Sequence, residues 1–135
     1  MMRLRERAAV LLVALLATAC GAAGPVGNAD LGGDWSGTWA SSTTSTGGVF
    51  TAALTQSGVF IAGAAVLASS PCFTSFIVGG TVSGNSFSLT LSTGDVRRAT
   101  VAGTISGSNM SATYVILSTG TACDGDRGTI TASRP

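Results

Sequence analysis

The chain has 135 residues, which is room for one domain of ordinary size and not for two. It contains seven basic residues, six acidic residues and no histidine. After Cys20, four arginines face five aspartates, and this slightly acidic remainder offers no basic cluster to neutralise nucleic-acid phosphates. Without histidine the usual general base and the commonest metal ligand are missing, and no serine stands in a G-x-S-x-G setting. We therefore predict no enzyme activity, no cofactor, no metal and no nucleic-acid partner.

The N-terminal stretch has the pattern of a secretory signal. Arg3, Arg5 and Arg7 precede an uninterrupted run of apolar and small residues over 8–19. The run is too short for a membrane-spanning helix, which takes roughly 20 apolar residues. We predict a signal peptide over residues 1–19.

The end of this signal, Leu16-Ala17-Thr18-Ala19-Cys20, resembles the bacterial lipobox. The resemblance implies that Cys20 becomes the lipidated first residue of the mature protein, with the membrane as its partner. It also implies a place in the cell envelope, on the outer membrane or the cell surface. The lipobox favours leucine three residues before the cysteine, where this chain has Ala17. Ala17-Thr18-Ala19 also satisfies the small-x-small rule of ordinary cleavage, so a secreted soluble protein is the alternative.

Cysteine arithmetic favours the lipoprotein. The chain has three cysteines, and lipidation of Cys20 would leave Cys72 and Cys123 as a pair. We predict a disulfide between them. The alternative is two free thiols in a redox or metal role, for which the chain offers neither a C-x-x-C motif nor a histidine partner.

Residues 20–31 are small and polar and are predicted as a flexible tether, and residues 32–135 as one β-domain. Helix periodicity is absent after Gly33, and turn signals recur at the roughly 8 to 12 residue spacing of all-β domains. Eight strands are predicted, near residues 34–41, 49–56, 59–68, 73–82, 86–92, 96–105, 110–117 and 128–133.

Alternation along these strands gives a one-sided sheet. Phe87, Leu89 and Leu91 share one face of their strand, and serine and threonine occupy the other. A one-sided sheet of eight strands has to fold back on itself to hide its apolar face. We predict an eight-stranded antiparallel up-and-down β-barrel, with a two-sheet β-sandwich as the alternative.

The ends of the domain favour the barrel. Trp35 and Trp39 share one face of the first strand, and parity on the last strand turns Arg134 to the side on which Ile130 is buried. Closure would bring Arg134 beside a tryptophan, a favourable contact. Together these residues resemble the calycin superfamily of lipocalin-like and avidin-like barrels, in which a G-x-W on the first strand meets an arginine from the end of the last. The motif is Gly33-Asp34-Trp35 or Gly37-Thr38-Trp39. The further aromatic residues of an avidin-like biotin site are missing.

Two smaller features complete the candidate sites. Parity with Val101 turns Arg97 toward the interior near the rim, where it would anchor an acidic ligand or extend its guanidinium to water. Asp124 and Asp126 have the spacing that opens a calcium loop, but the distal glutamate is missing, which favours a solvated turn with an Asp–Arg pair.

The sequence therefore predicts a membrane-anchored lipoprotein that acts as a non-enzymatic binding or envelope-surface module. One alternative is a lipocalin-like carrier of a small hydrophobic ligand, because many inward positions are small. Another is a structural surface protein without a ligand. A third, an inhibitor acting through the loop over residues 41–48, has only loop composition in its favour. No feature of the sequence identifies a protein partner.

Overall fold

Eight strands account for most of the computed structural model, which describes residues 27–117 and 120–135. The predicted signal peptide and Cys20 lie outside these residues. The strands are β1 (Gly33–Ser41), β2 (Gly47–Ser57), β3 (Phe60–Leu67), β4 (Ser75–Ser83), β5 (Ser86–Thr93), β6 (Val96–Ser106), β7 (Asn109–Ile116) and β8 (Arg127–Ser133). Their bounds follow the sequence prediction closely. The largest differences are two residues at the start of β2, which begins at Gly47, and two at the start of β4, which begins at Ser75 while Phe73 packs against the core from outside the strand.

The strands close into an antiparallel up-and-down barrel, which confirms the predicted fold and excludes the sandwich. Each strand pairs with the next, and β1 completes the barrel by pairing with β8 from Ser36↔Ser133 to Ser41↔Gly128. Gly37 allows this close approach. A Cβ atom on Gly37 would lie only 1.9 Å from the carbonyl oxygen of Thr131, so a larger residue would push the two strands apart.

Tight hairpins join the strands at one end of the barrel. Two-residue turns follow β2, β4 and β6, and each begins with a glycine at a φ of about 60°, namely Gly58, Gly84 and Gly107. A glycine in the first turn position is typical of the type II′ hairpin, whose twist matches that of the flanking strands. The predicted turns are therefore confirmed.

Side chains fill the inside of the barrel. Alternate residues of every strand point inward and are buried, from Trp35 on β1 to Ile130 on β8, and no buried residue among those described is polar or charged. An enclosed space in the barrel centre measures about 10 Å³, which is room for at most one water molecule. Among the described residues, no helix is long and apolar enough to cross a membrane.

The two ends of the barrel differ. At the loop end, three longer segments (residues 42–46, 68–74 and 117–126) and one two-residue turn (residues 94–95) connect the strands. At the hairpin end, the three glycine turns surround residues 28–32, which precede β1. Leu31 is fully buried there, and its amide nitrogen donates to Gln56 Oε1 at 2.7 Å. The last residues of the predicted tether are therefore part of the domain, because the Leu31 side chain is buried in the core and Gln56 hydrogen-bonds to the backbone of this segment.

Candidate functional site

The loop end carries an open cleft of about 350 Å³. It is bounded by three of the connecting segments and is lined by threonine hydroxyls, carboxylates and small side chains: Thr43, Thr44, Thr46, Pro71, Cys72, Ala122, Cys123, Asp124, Gly125 and Asp126. Because backbone loops carry most recognition chemistry on rigid β-scaffolds, this cleft is the candidate binding site.

A disulfide ties two of these loops together. Cys72 lies between β3 and β4, Cys123 lies between β7 and β8, and the two are bonded, as predicted. The bridge closes a loop of 51 residues, for which the chain-entropy model gives a stabilisation of about 4 kcal/mol. It holds the loops in fixed positions over the barrel mouth.

Aromatic side chains form the floor beneath the loops. The rings of Trp39 and Tyr114 meet edge to face, with 6.2 Å between centroids, and Trp39 Nε1 donates to the carbonyl oxygen of Ala68 at 2.9 Å. Phe73 packs edge to face against Phe76. The space enclosed among these rings is only about 10 Å³, so the mouth of the barrel is shut.

Asp126 connects the floor to the cleft. Its Oδ1 accepts hydrogen bonds from Ser41 Oγ at 2.6 Å and from Thr43 Oγ1, and its Oδ2 accepts from Tyr114 Oη at 3.2 Å. Burial alone would raise the pKa of Asp126, but bonds from Ser41, Thr43, Tyr114 and the Arg127 amide outweigh it and lower the pKa.

The pKa of Tyr114 shifts in the opposite direction, upward. Burial, then the negative charge of Asp126 and the hydrogen bond to it, raise the pKa of Tyr114 from 10.0 to about 12, against a smaller lowering by Ser41. Tyr114 therefore remains a neutral donor at any physiological pH. A donor and an acceptor that satisfy one another in this way are suited to holding loops in place.

Asp124 has a local role. Its carboxylate accepts hydrogen bonds from the Gly120 amide at 2.9 Å and from the amide and hydroxyl groups of Thr121. Hydrogen bonds within the loop end thus shape the Asp124–Asp126 turn. The residues that the structure describes contain no group of three or more histidine, cysteine or acidic residues able to hold a metal ion.

The parity argument that turns Arg97 inward is wrong, because a β-bulge interrupts β6. Leu91 pairs with Ala99 and Ser92 pairs with Arg97, so Arg98 is the extra residue. The bulge exposes Arg97 and turns Arg98 over the rim. The Arg98 guanidinium lies 4.4 Å from the centre of the Phe73 ring, and its Nε donates to Thr93 Oγ1 at 2.7 Å.

Arg134 lies at the hairpin end, far along the barrel from the cleft. Its guanidinium is 4.6 Å from the centre of the Trp35 ring, and its Nη1 donates to the Gly32 carbonyl oxygen at 2.6 Å. The contact expected at the seam of the barrel therefore involves Gly33-Asp34-Trp35. Trp39 occupies the same seam at the other end, where it pairs with Ile130.

The candidate sites are thus divided between two ends. Cys72, Cys123 and Trp39 meet at the loop end, whereas Trp35 and Arg134 meet at the hairpin end. Sequence reasoning missed the contributions of Tyr114 and Arg98 and the hydroxyl partners of Asp126. For Tyr114, the only signal in the sequence was that the chain's single tyrosine stands at an inward-facing strand position.

Comparison with known proteins identifies no relative of this chain. No protein-family model matches the chain, and no curated protein and no solved structure is significantly similar to it.

Proposed function

We propose that this chain is an exported lipoprotein, anchored through Cys20 in the cell envelope, whose barrel is a non-enzymatic binding or surface module. The observation that carries the proposal is the position of the N-terminal segment. Residues 28–31 join the barrel at the hairpin end, where the Ala29 amide donates to the Gly84 carbonyl oxygen at 2.8 Å. An anchor seven residues before Gly27 would turn this end to the membrane and the loop cleft away from it.

The filled interior favours this module over a carrier. A lipocalin-like carrier needs an internal cavity of some hundreds of cubic ångströms, whereas the enclosed spaces among the core and the floor residues are about 10 Å³ each. Binding would therefore take place on the surface of the loop end. The filled core is equally compatible with a structural surface protein without a ligand. The two alternatives differ in whether the loop-end cleft binds a partner.

The chemistry of the cleft favours recognition over catalysis. The best-placed polar pair, Tyr114 and Asp126, is satisfied internally, and a chain without histidine lacks the commonest general base. We further propose a distant relation to the calycin superfamily. The support is the Arg134–Trp35 contact, in which the last strand of an up-and-down barrel meets a G-x-W on the first.

Membrane fractionation of cells that express the full chain tests the anchor. We expect the wild-type protein in the membrane fraction and the Cys20→Ser variant in the soluble exported fraction. Ala19→Ser is a matched control, because it keeps the cysteine and a small residue before it. Unchanged membrane retention of Cys20→Ser would refute lipid anchoring.

Native mass spectrometry tests the nature of the module. The purified protein should carry no co-purifying ligand in the barrel and should take up no fatty-acid probe. A stoichiometric adduct, lost when Ala65 or Ala112 inside the barrel is replaced with leucine, would instead establish a carrier.

A further inference from the structure

Three hairpins at the hairpin end have the same backbone but different tips. Each has two residues in the turn, a serine before it and a first glycine at positive φ. The tips are Ser57-Gly58-Val59-Phe60, Ser83-Gly84-Asn85-Ser86 and Ser106-Gly107-Ser108-Asn109. The last two positions are polar in the second and third hairpins and apolar in the first.

The apolar pair serves neither the turn nor the core. Phe60 is 67% exposed and Val59 is 38% exposed, and the polar residues at the equivalent positions of the other two hairpins are exposed as well. The same turn geometry is therefore compatible with asparagine and serine. Phe60 is the most exposed of the large apolar side chains that the structure describes, and together with the adjacent Val59 it forms an apolar tip suited to a contact outside the domain.

The apolar hairpin also helps to hold the N-terminal segment, which is bonded at Asn28 and Ala29 to Gly84 of the second hairpin. Gln56 occupies the place that Val82 and Ile105 fill with buried side chains in the other two hairpins. Its Oε1 accepts from the Leu31 amide, and its Nε2 donates to the Ala29 carbonyl oxygen at 3.0 Å. The first described residues of the chain and the apolar tip thus lie at the same end of the barrel.

We infer that the Val59–Phe60 tip is a second membrane contact, which inserts between lipid headgroups and fixes the barrel with its hairpin end down. The inference rests on the proposed lipid anchor. Gly27 follows Cys20 by seven positions, a distance of at most about 25 Å along the chain, so the hairpin end stays within reach of the bilayer surface. The tip carries no charge, and aromatic and aliphatic side chains are what peripheral proteins bury at the headgroup boundary.

The outward face of β3 carries the apolar surface upward from the tip. Ala62 and Ala64 are exposed, and Val66, near the loop end, is 38% exposed. Val66 follows Phe60 by six positions along the strand, or about 20 Å. A barrel standing on its hairpin end keeps Val66 above the headgroups, whereas a barrel lying on β3 would bury both.

Tryptophan quenching by brominated lipid distinguishes these arrangements. The protein is expressed from the full gene, purified as the cell makes it, and placed in phosphatidylcholine–phosphatidylglycerol vesicles with bromine on the acyl chains. Phe60→Trp reports on the tip and Val66→Trp on the upper part of the strand. Val96→Trp is the matched control, since Val96 holds the position of Phe60 in the two-residue hairpin at the opposite end. Trp35 and Trp39 are buried and give a constant background.

We expect brominated vesicles to remove at least half of the emission added by Phe60→Trp and less than a tenth of that added by Val66→Trp or Val96→Trp. Emission of Phe60→Trp that brominated lipid does not change would overturn the inference. Equal quenching at positions 60 and 66 would also overturn it, because the barrel would then lie on its side. The double variant Val59→Asn, Phe60→Ser copies the second hairpin and should leave the unfolding midpoint unchanged.

Two further measurements distinguish failure of the membrane contact from failure of the proposed lipid anchor at Cys20. The intact mass shows whether Cys20 carries acyl chains; if it does not, its thiol is coupled to a maleimide lipid before the vesicle measurement, so that the tip is tested either way. Sedimentation of the Cys20→Ser protein examines the competing occupant. A dimer that Val59→Asn, Phe60→Ser abolishes would assign the tip to a second copy of the chain and overturn the membrane contact.

Discussion

Replacing Arg134 with alanine removes the side chain that connects the last strand to the start of the first. The guanidinium stacks on Trp35 at 4.6 Å and donates to the Gly32 carbonyl oxygen at 2.6 Å. Trp35 is itself 1% exposed, and its Nε1 donates to the Leu31 carbonyl oxygen at 2.9 Å. Arg134 therefore covers one face of the residue that closes the hairpin end.

The magnitude follows from these two contacts. A cation–π contact contributes about 0.5 to 2 kcal/mol, depending on how far it is desolvated. A hydrogen bond from a charged donor contributes roughly 1.5 to 3 kcal/mol when buried, and less at a half-buried site such as this one. We expect Arg134→Ala to lower the free energy of unfolding by about 2 kcal/mol. Arg134→Lys should lose less, because it keeps the charge near the ring.

Urea denaturation followed by circular dichroism measures the change, and a double-mutant cycle isolates the contact. Trp35→Leu keeps an apolar side chain in the core but removes the ring. The two substitutions together should cost about 1 kcal/mol less than the sum of their separate effects. Arg97→Ala is the control, since Arg97 is exposed, and should change stability by less than about 0.5 kcal/mol. Strict additivity of Arg134→Ala and Trp35→Leu would refute the proposed coupling.

Further predictions concern the loop end and the seam. Because Tyr114 is the only tyrosine, absorbance near 295 nm should titrate with a midpoint of about 12; a midpoint at 10 would contradict its burial beside Asp126. The lowered pKa of Asp126 contributes stability above its ordinary value of 3.8, which is lost as the pH falls through the folded pKa, so acid unfolding of Asp126→Asn should depend less steeply on pH. The raised pKa of Tyr114 contributes stability below pH 10 that is lost toward 12, and Tyr114→Phe should flatten that limb. Replacing both Cys72 and Cys123 with serine should cost up to about 4 kcal/mol in thermal or urea unfolding, and no loss would show that the loops are ordered without the bridge. Gly37→Ala should cost at least about 2 kcal/mol, since its Cβ would collide with Thr131; an unchanged urea midpoint would refute the tight seam.

The barrel could be predicted because its signals are local and periodic. Alternation at Phe87, Leu89 and Leu91 determines the buried face, and glycine in the turns determines where each strand ends. Eight such strands leave few ways to cover one apolar face. The pairing of Cys72 with Cys123 could be predicted because they are the two cysteines of the predicted domain, the third, Cys20, being assigned to the lipobox.

The site could not be predicted to the same extent, because its contacts depend on register. Parity along β6 assigns Arg97 to the interior, but one extra residue at the bulge exchanges Arg97 and Arg98. Nothing in the local sequence marks that bulge. The hydrogen bonds between Asp126 and Ser41 or Tyr114 join residues 85 and 12 positions apart, and barrel closure between β1 and β8 is what brings Ser41 to Asp126.

The boundary of the tether was missed for a related reason. Residues 28–31 look like a linker in composition, yet Leu31 is fully buried and Gln56 binds the backbone on both sides of Asp30. A glutamine at an otherwise apolar position of a repeated hairpin was the available signal. This signal can be recognised only when the three hairpins are compared.

The central claim is that one end of this barrel is fixed to a membrane through Cys20 and the other presents the loop cleft. Intact mass measurement of the protein recovered from membranes of expressing cells tests it most directly. We predict a chain that begins at Cys20, lacks residues 1–19 and carries the added mass of acyl chains, which chemical cleavage of ester bonds partly removes. A chain that begins at Cys20 with no added mass, or that retains residues 1–19, would contradict the claim.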